Sequence, residues 1–330
     1  MHEPSLPREN TFDNHLVVCY PAGLVFGKNF LAIWHGSYVT GAPGNHRDTT
    51  FLMNKNAATL SGQFDIAQSQ ARCRWVRRRI LSMSRNVAAL HMGGAFSCAE
   101  ILDCVYFGLM RKSSEGKFQD SFILSKGHAG ITLYATLEEM KILSPEDLDA
   151  YCTPQGRLGA HPDRGLPGIE ASTGSLGHGL GMGCGMALHD KVFKQDRIVY
   201  VVMSDGELQE GSVWEMLLQA PALGLTSLVV FVDYNNLQSL DFTSKTHPNF
   251  YPIQGKIEAF GWEVMEVDGH DQKAVLNAVA SRTRRAPFLL ICKTIKGKGV
   301  SFMENQPMWH YRSPNPEEFQ QAMHELGSQD

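Results

Sequence analysis

The chain lacks the cysteine patterns of disulfide-rich and zinc-binding proteins. Its 330 residues include 7 cysteines, which are scattered along the sequence and contain no CxxC pair. An odd number of dispersed cysteines is typical of proteins in a reducing compartment. We therefore expect a cytoplasmic protein without a disulfide framework or a zinc knuckle.

The sequence also lacks an excess of basic residues and a long apolar run near its start. Lys and Arg number 30 against 34 Asp and Glu, which gives a net charge of −4. This balance argues against binding to nucleic acid by bulk charge. The most apolar early stretch, residues 16–26, is too short for a membrane span and has only Arg8 as a basic residue before it. We expect neither nucleic acid nor a membrane as a partner.

No GxGxxG motif follows a predicted strand, which disfavours a nicotinamide-dependent enzyme.

Residues 1–52 carry Gly, Pro, His and Asn without helical or strand periodicity. We expect this segment to be disordered or a non-native extension, and we place the folded domain at residues 53–330. Hydrophobic residues make up 43% of the chain, which is ample for a buried core.

Helical patterns alternate with short apolar runs from about Gln63 onwards. The apolar runs are residues 122–124, 198–203, 228–232, 262–267 and 288–295. Such runs, separated by helices, predict an α/β fold with a mostly parallel central sheet and helices on both faces. Ser97 is predicted to cap a helix over residues 99–110. The arginine-rich helix that starts near Gln63 is predicted to expose a basic face.

Polar residues follow two of these predicted strands directly. Asp205 and Gly206 come after the run 198–203, and Asn235 comes about 30 residues later, after the next run. Ligands of parallel sheets bind beyond the carboxyl ends of strands, so we expect these side chains to share one crevice. Oxygen ligands together with diphosphate oxygens suit octahedral Mg²⁺. The residues alone therefore predict a magnesium–diphosphate site.

With these motifs, the chain resembles the N-terminal half of transketolase over residues 65–325. Asp-Gly followed about 30 residues later by Asn-Asn is similar to the thiamine diphosphate fingerprint. Further stretches that match in the family's order are 91–94 (HMGG), 125–128 (SKGH), 161–162 (HP), 173–179 (TGSLGHG), 296–299 (KGKG) and 309–310 (WH). Each stretch alone would be weak, whereas the ordered set is specific.

The resemblance implies the thiamine diphosphate-binding fold, the cofactors thiamine diphosphate and Mg²⁺, and roles for single residues. Asp205 and Asn235 would bind Mg²⁺ by their side chains, and Leu237 would bind it by its carbonyl oxygen. Gly206 would lie against the diphosphate, and Gly177 matches the glycine segment that lines the cofactor.

Four histidines match those that face the thiazolium C2 and the sugar hydroxyls in this family: His91, His128, His161 and His310. Ketol transfer requires protons to move on and off oxygen near neutral pH, and imidazole is suited to that task. The resemblance therefore implies that the four histidines are catalytic.

A complete transketolase is about twice the length of this chain, so we expect the pyrimidine-binding domain of the family to be absent from it. The resemblance implies the diphosphate-binding subunit of a split transketolase, completed by a separate C-terminal subunit in an α2β2 assembly. The expected reaction moves a two-carbon ketol group from a ketose phosphate to an aldose phosphate. Two alternatives stay open: another thiamine diphosphate enzyme, similar to deoxyxylulose-phosphate synthase or a dehydrogenase E1 component, and a non-catalytic thiamine diphosphate-binding protein.

Overall fold

The described residues fold around a five-stranded, wholly parallel β-sheet. A computed structural model describes residues 64–239 and 241–327, so the predicted extension at residues 1–52 and the boundary at residue 53 lie outside the described residues. The strands are β1 (Ser121–Leu124), β2 (Val199–Ser204), β3 (Leu228–Tyr234), β4 (Glu263–Asp268) and β5 (Phe288–Lys293). Their order across the sheet is β1-β2-β3-β5-β4, and every pair is parallel.

Alternate residues of the central strands enter two separate hydrophobic cores. On β3, Val229 and Phe231 belong to one core, while Val230 and Val232 belong to the other. Because side chains of a strand point alternately to opposite faces, both faces of the sheet are buried. The predicted α/β architecture is therefore confirmed.

Helices cover the two faces of the sheet. The helices are α1 (Ile66–Met83), α2 (Met92–Ser97), α3 (Ala99–Asp103), α4 (Gly130–Glu139), α5 (Pro145–Asp149), α6 (Gly179–Val192), α7 (Gly211–Ala222), α8 (Thr243–Thr246), α9 (Gln254–Glu258), α10 (Gln272–Ser281) and α11 (Pro316–Gly327). Side chains of α1, α4 and α10 contribute to the first core, and those of α6, α7 and α9 to the second. Among the helices of the described residues, none has the length and apolar character that crossing a bilayer demands.

The segment predicted as one helix over residues 99–110 differs from the prediction in two ways. It consists of α3 followed by a wider π-helical turn over Cys104–Leu109. Ser97 does not cap it, because Ser97 is the last residue of α2 and its hydroxyl donates a 2.6 Å hydrogen bond to Asp233. The cap prediction was wrong because a partner 136 positions away competes for the hydroxyl.

The arginine-rich helix α1 does not present a solvated basic face. Arg77 is 4% exposed and is paired with Glu100 across 2.7 Å, and Arg72 is paired with Asp103 across 2.6 Å. Both acidic partners lie on α3, about 20 to 30 positions further along the chain. The predicted exposed basic face was wrong because helical periodicity in α1 alone could not reveal acidic partners on another helix.

Parallel pairing brings the carboxyl ends of four neighbouring strands to one edge of the sheet. Ser204 at the end of β2 lies beside Asp233 in β3, and Asp233 lies beside Cys292 in β5. The predicted motifs at residues 125–128, 205–206, 235–237 and 296–299 follow these strands. The fold therefore gathers at one edge the segments that the sequence separates by up to about 170 residues.

Candidate active site

A cavity of about 540 Å³ opens at this edge of the sheet. Seven of the nine predicted site residues line it: His91, His128, His161, Gly206, Asn235, Leu237 and His310. Asp205 is completely buried beside Gly206, and Gly177 is held next to the cavity by the Glu207 side chain. Residues from several distant loops therefore converge at the predicted position, while the role of each remains a prediction.

Asp205 places a carboxylate in the turn after β2 without a charged partner of its own. Its oxygens accept backbone N–H groups from Gly206 at 2.9 Å and from Asn236 at 2.7 Å, and no ion pair to it forms within the described residues. Burial, together with the negative charge of Asp233, raises the pKa of Asp205 to about 7. A cation bound at this carboxylate would offset both effects.

Asn235 is held in one orientation by the residues beneath it. Its Nδ2 lies 3.4 Å from a carboxylate oxygen of Asp233 and 3.5 Å from the Ser97 hydroxyl. Its Oδ1 accepts the backbone N–H of Leu237 at 3.1 Å. Because Asp233 can only accept hydrogen bonds when ionised, the amide nitrogen faces Asp233 and the amide oxygen faces the other way.

A buried ion pair underlies the cavity floor. Lys126 is fully buried, pairs with Asp233 and donates a 2.8 Å hydrogen bond to the carbonyl oxygen of Gly94. Asp233 also accepts hydrogen bonds from Ser97 and Thr294. Burial is the largest influence and would lower the pKa of Lys126, but the charge of Asp233, the neighbouring Cys98 and the hydrogen bond to Asp233 together outweigh burial and raise that pKa, so the lysine is charged. Sequence reasoning assigned no role to Lys126 or Asp233.

Glu207 ties three loops of the site together. Its carboxylate accepts hydrogen bonds from the Ser125 hydroxyl, from the backbone N–H of Gly177 at 2.8 Å and from the backbone N–H of Ser204 at 3.3 Å. Gly177 has φ +84°, and a Cβ there would lie 2.6 Å from the Ser212 hydroxyl oxygen. A glycine is therefore required at position 177 for this close approach.

The four predicted histidines form one cluster of rings. The centroid of His91 lies 5.3 Å from His128, 6.5 Å from His161 and 5.2 Å from His310. Burial, followed by nearby positive charges, lowers the pKa of His91 to about 4 and that of His310 to about 3. The same causes hold the pKa of His128 well below its ordinary value. These three rings are therefore neutral near pH 7.

The histidine cluster is not arranged as a metal centre. Within residues 64–239 and 241–327, no group of three or more His, Cys, Asp or Glu side chains is placed to hold a metal ion. A divalent cation at this site would instead depend on a single carboxylate with amide and carbonyl oxygens. That donor set is the one predicted from Asp205, Asn235 and Leu237.

Two further residues complete the wall around His310 and His91. Lys296 is buried, and its Nζ lies 2.9 Å from Nδ1 of His310. The ring of Tyr311 lies 4.6 Å from the ring of His91, although Tyr311 is 60% exposed. Lys296 belongs to the matched stretch 296–299, but nothing in the sequence distinguishes a buried lysine there from a surface one.

The fold and the site together define the class of diphosphate-binding folds. The sheet is parallel, and its strand ends carry an acidic turn, an amide turn, glycine loops and buried lysines. The match to known families is more specific. The family described as "Transketolase, thiamine diphosphate binding domain" matches residues 74–330. The chain belongs to the transketolase family and contains its thiamine diphosphate-binding domain.

Relatives of two lengths share this domain. One subunit of the apulose-4-phosphate transketolase of Phocaeicola vulgatus is 38% identical over 256 residues, covering 76% of this chain and 90% of that protein. The 6-deoxy-6-sulfo-D-fructose transketolase subunit of a Clostridium species is 35% identical over 257 residues, covering 76% and 93% of the two chains. Human transketolase is 36% identical over 260 residues, covering 77% of this chain but only 41% of the human protein.

Solved structures show the same relation. The transketolase of Campylobacter jejuni matches with a TM-score of 0.74 at 26% identity, covering 80% of this chain and 43% of that chain. This chain therefore spans well under half of the solved transketolases it resembles. These matches confirm the predicted family, the fold and the assignment to an N-terminal transketolase subunit.

Proposed function

We propose that this chain binds thiamine diphosphate and Mg²⁺ at the strand-end cavity and, with a second chain, transfers a two-carbon ketol group from a ketose phosphate to an aldose phosphate. The observation that carries the proposal is the meeting of three neutral imidazoles and two buried lysines around one cavity, next to a buried carboxylate that forms no ion pair with any described residue. This combination suits an anionic cofactor and a substrate rich in hydroxyl groups.

The residues present fit a magnesium–diphosphate group. Asp205 would bind the cation by its carboxylate, Asn235 by its amide oxygen, and Leu237 by its carbonyl oxygen. Asp233 supports this arrangement because it accepts from the Asn235 amide nitrogen, which would leave the amide oxygen to bind a cation. The raised pKa of Asp205 also fits, since a bound cation would favour the ionised carboxylate.

The diphosphate would lie beside Gly206 and the loop that contains Gly177. Gly206 lines the cavity, and the backbone N–H of Gly177 donates a hydrogen bond to the Glu207 carboxylate, which positions this glycine. Lys126 and Lys296 also line the cavity, and their positive charges favour a polyanion there.

Thiamine diphosphate, when bound, supplies the electron sink that allows a carbon–carbon bond next to a carbonyl to break. The protein's share is proton transfer and orientation. His91, His128, His161 and His310 would contact the hydroxyl and carbonyl oxygens of the sugar, holding or moving a proton at each oxygen. The lowered pKa values of His91, His128 and His310 suit this role, because a neutral ring carries one N–H donor and one acceptor nitrogen.

The sugar is proposed to be a ketose that carries an anionic group. The names of two relatives specify apulose-4-phosphate and 6-deoxy-6-sulfo-D-fructose, which are a phosphorylated and a sulfonated sugar. A panel of donors should therefore contain both phosphorylated and sulfonated ketoses.

The second chain is proposed to be a pyrimidine-binding C-terminal subunit in an α2β2 assembly. Two observations support it: the match covers 90% of a relative whose name describes one subunit of a transketolase, but only 41% of human transketolase. The cytoplasm is the proposed location, and the six cysteines of the described residues are all free thiols, as expected in a reducing compartment.

The proposal is tested by recovering the partner and assaying the pair. The tagged full chain is purified from its host with thiamine diphosphate and Mg²⁺ present, and bound proteins are identified by mass spectrometry. We expect a stoichiometric partner that resembles the other half of transketolase. We also expect ketol transfer by the pair but not by either chain alone. Ketol transfer by this chain without a partner would overturn the split-enzyme proposal.

The same assembly distinguishes the two alternative functions. Turnover of pyruvate without ketol transfer would favour an enzyme similar to deoxyxylulose-phosphate synthase or a dehydrogenase E1 component. Tight cofactor binding without turnover of any donor and acceptor pair would favour a non-catalytic binding protein. The cluster of neutral imidazoles argues for a catalytic role, since cofactor binding alone does not require it.

A further inference from the structure

Two consecutive residues after β5 contact two different histidines through opposite ring nitrogens. The backbone N–H of Ile295 donates to Nε2 of His270 at 2.9 Å. The side chain of the next residue, Lys296, has its Nζ 2.9 Å from Nδ1 of His310. The chemistry of the two donors determines which nitrogen of each ring must accept a hydrogen bond.

His270 shows how such a contact fixes a tautomer. A backbone N–H can only donate, so Nε2 of His270 must be the acceptor and Nδ1 must carry the proton. Nδ1 in fact lies 2.9 Å from a carboxylate oxygen of Glu100, which accepts that proton's hydrogen bond. Both ring nitrogens of His270 therefore have partners of the correct type.

The same reasoning applied to His310 gives the opposite tautomer. A charged lysine ammonium has three donors and no acceptor, so Nδ1 of His310 must accept and the proton must lie on Nε2. Lys296 is 2% exposed, and the only other hydrogen-bond partner of its Nζ among the described residues is the Gln238 carbonyl oxygen at 3.4 Å. Few other acceptors compete with His310 for the ammonium group.

The charge on Lys296 is maintained at neutral pH. Burial and the positive charge of Lys126 lower the pKa of Lys296 to about 8, while Asp205 and Asp233 act in the opposite direction. At pH 7 the group is therefore mainly an ammonium ion. His310 has a strongly lowered pKa and stays neutral, so the two groups do not compete for a proton.

We propose that Lys296 is a positioning residue that fixes His310 in the Nε2–H tautomer, so that His310 meets the sugar as an N–H donor to oxygen and not as a base. The tautomer itself stands on the contact with Lys296, while its effect on turnover rests on the proposed ketol transfer. His310 would then stabilise negative charge on a sugar oxygen by donating a hydrogen bond from Nε2–H. A histidine in the other tautomer would present a lone pair to the same oxygen.

The tautomer is measured in the full-length chain by ¹⁵N NMR of the histidine rings at pH 7, without cofactor or partner. The nitrogen shifts distinguish a protonated from an unprotonated ring nitrogen. We expect His310 to show an unprotonated Nδ1 and a protonated Nε2, and His270 to show the reverse. A protonated Nδ1 in His310 of the wild-type chain would overturn the proposal before any variant is made.

Three variants test the cause. Lys296→Met removes the donor, and an unconstrained imidazole then populates both tautomers, so the His310 signals should report a mixture. Lys296→Arg retains a donor and should preserve the wild-type pattern. Lys298→Met is the matched control, because Lys298 lies in the same loop but contacts Glu304 and not the cavity. The His270 signals monitor the fold in each variant, and an unaltered His310 pattern in folded Lys296→Met would refute the assignment to Lys296.

Turnover is measured in the assembled two-chain enzyme with thiamine diphosphate saturating. Lys296→Met is expected to lower kcat by at least about tenfold. This loss should be smaller than the ~10⁴-fold loss that a wholly wrong histidine tautomer causes in serine proteases. Lys296→Arg should recover most of that loss, and Lys298→Met should keep the wild-type kcat. Altered tautomers with unchanged kcat would overturn the functional half of the proposal. A confirmed tautomer in a pair that transfers no ketol group would leave the positioning role intact and overturn the proposed function.

Discussion

Asn236 donates its backbone N–H to the Asp205 carboxylate across 2.7 Å, and so links the turn after β3 to the turn after β2. Asn236 has a φ of +60°, a left-handed conformation that asparagine tolerates better than most residues. Thr243 approaches the same carboxylate oxygen at 3.4 Å. The two turns that would hold the cation are therefore joined before any ligand binds.

Replacing Asp205 by asparagine should weaken the cation site. Asp205→Asn retains the shape and a hydrogen-bond acceptor but removes the charge that faces the proposed Mg²⁺. We expect the affinity of the assembled complex for Mg²⁺ and thiamine diphosphate to fall roughly tenfold or more, which corresponds to about 1.4 kcal/mol. Calorimetry measures both affinities. Asp268→Asn, at the end of β4 and outside the cavity, is the matched control, and equal affinities in all three proteins would rule out Asp205 as a ligand.

His161→Ala should separate catalysis from cofactor binding. The backbone carbonyl of His161, and not its ring, accepts the Tyr134 hydroxyl at 2.8 Å, so removing the ring preserves this contact. General acid–base catalysis contributes about 10²- to 10⁴-fold, and we expect kcat to fall within that range while the Kd of thiamine diphosphate stays nearly unchanged. His178→Ala, an exposed residue at the start of α6, should have the wild-type kcat. Equal losses of turnover and of cofactor affinity would show that His161 is structural.

Removing the ring of Tyr311 should raise the pKa of His91. Burial is the largest cause of the lowered pKa of His91, and the Tyr311 ring lies 4.6 Å from it. Tyr311→Ala admits water to that face of the imidazole, which favours the charged form and moves the pKa from about 4 towards 6.5. NMR titration of the full-length chain follows the change.

Two variants define the cause of that shift. Tyr311→Phe keeps the ring and should leave the pKa of His91 near its wild-type value. Met308→Ala is the matched control for the pKa of His91, because Met308 lies in the neighbouring turn and its exposed fraction is 59%, against 60% for Tyr311. A pKa of His91 that does not move in Tyr311→Ala would mean that other walls of the cavity exclude water from this ring.

The buried pair of Arg77 and Glu100 should stabilise the protein above pH 4.5 and lose this effect in acid. Burial alone would raise the pKa of Glu100, but Arg77 and the hydrogen bond from His270 outweigh burial and hold the pKa at about 2, against an ordinary value of 4.5. A group whose folded-state pKa is lowered stabilises the fold above its unfolded-state pKa. Its contribution declines as the pH falls from 4.5 to 2.

Glu100→Gln makes this contribution measurable. The variant leaves Arg77 without its charged partner, so we expect a loss of about 3 to 5 kcal/mol in the free energy of unfolding at pH 7. The difference from the wild type should narrow as the pH is lowered through the same window, as followed by urea unfolding. Glu115→Gln, which breaks a surface pair with Lys117, should change stability by less than about 1 kcal/mol. A difference that persists unchanged to pH 2 would contradict the assignment.

The positions of the main strands and of the strand-end motifs could be predicted from the sequence for a physical reason. Buried parallel strands are apolar throughout, so the ends of such runs indicate where Asp205 and Asn235 must lie. Lys126, Lys296 and Asp233 gave no comparable signal, because charged residues are usually exposed and only the folded chain shows what buries them.

The two local predictions that failed share one cause. Ser97 has the chemistry of a helix cap, and α1 has the spacing of an exposed basic helix. In each case the true partner is distant in sequence: Asp233 accepts from Ser97, and Glu100 pairs with Arg77. Local sequence rules consider only hydrogen-bond and ion-pair partners that are near in sequence, whereas folding can bring a partner from anywhere in the chain.

The position of β5 between β3 and β4 has a consequence for the order in which the protein can fold. β1, β2 and β3 lie side by side in the order in which they occur in the chain, whereas β4 pairs only with β5 in the described sheet and cannot pair before β5 has been made. Lys296 and His310 also follow β5, so the sheet and the cavity wall are completed in the same late step. A chain interrupted before residue 288 would therefore have an unpaired β4, an open edge on β3 and no histidine–lysine contact.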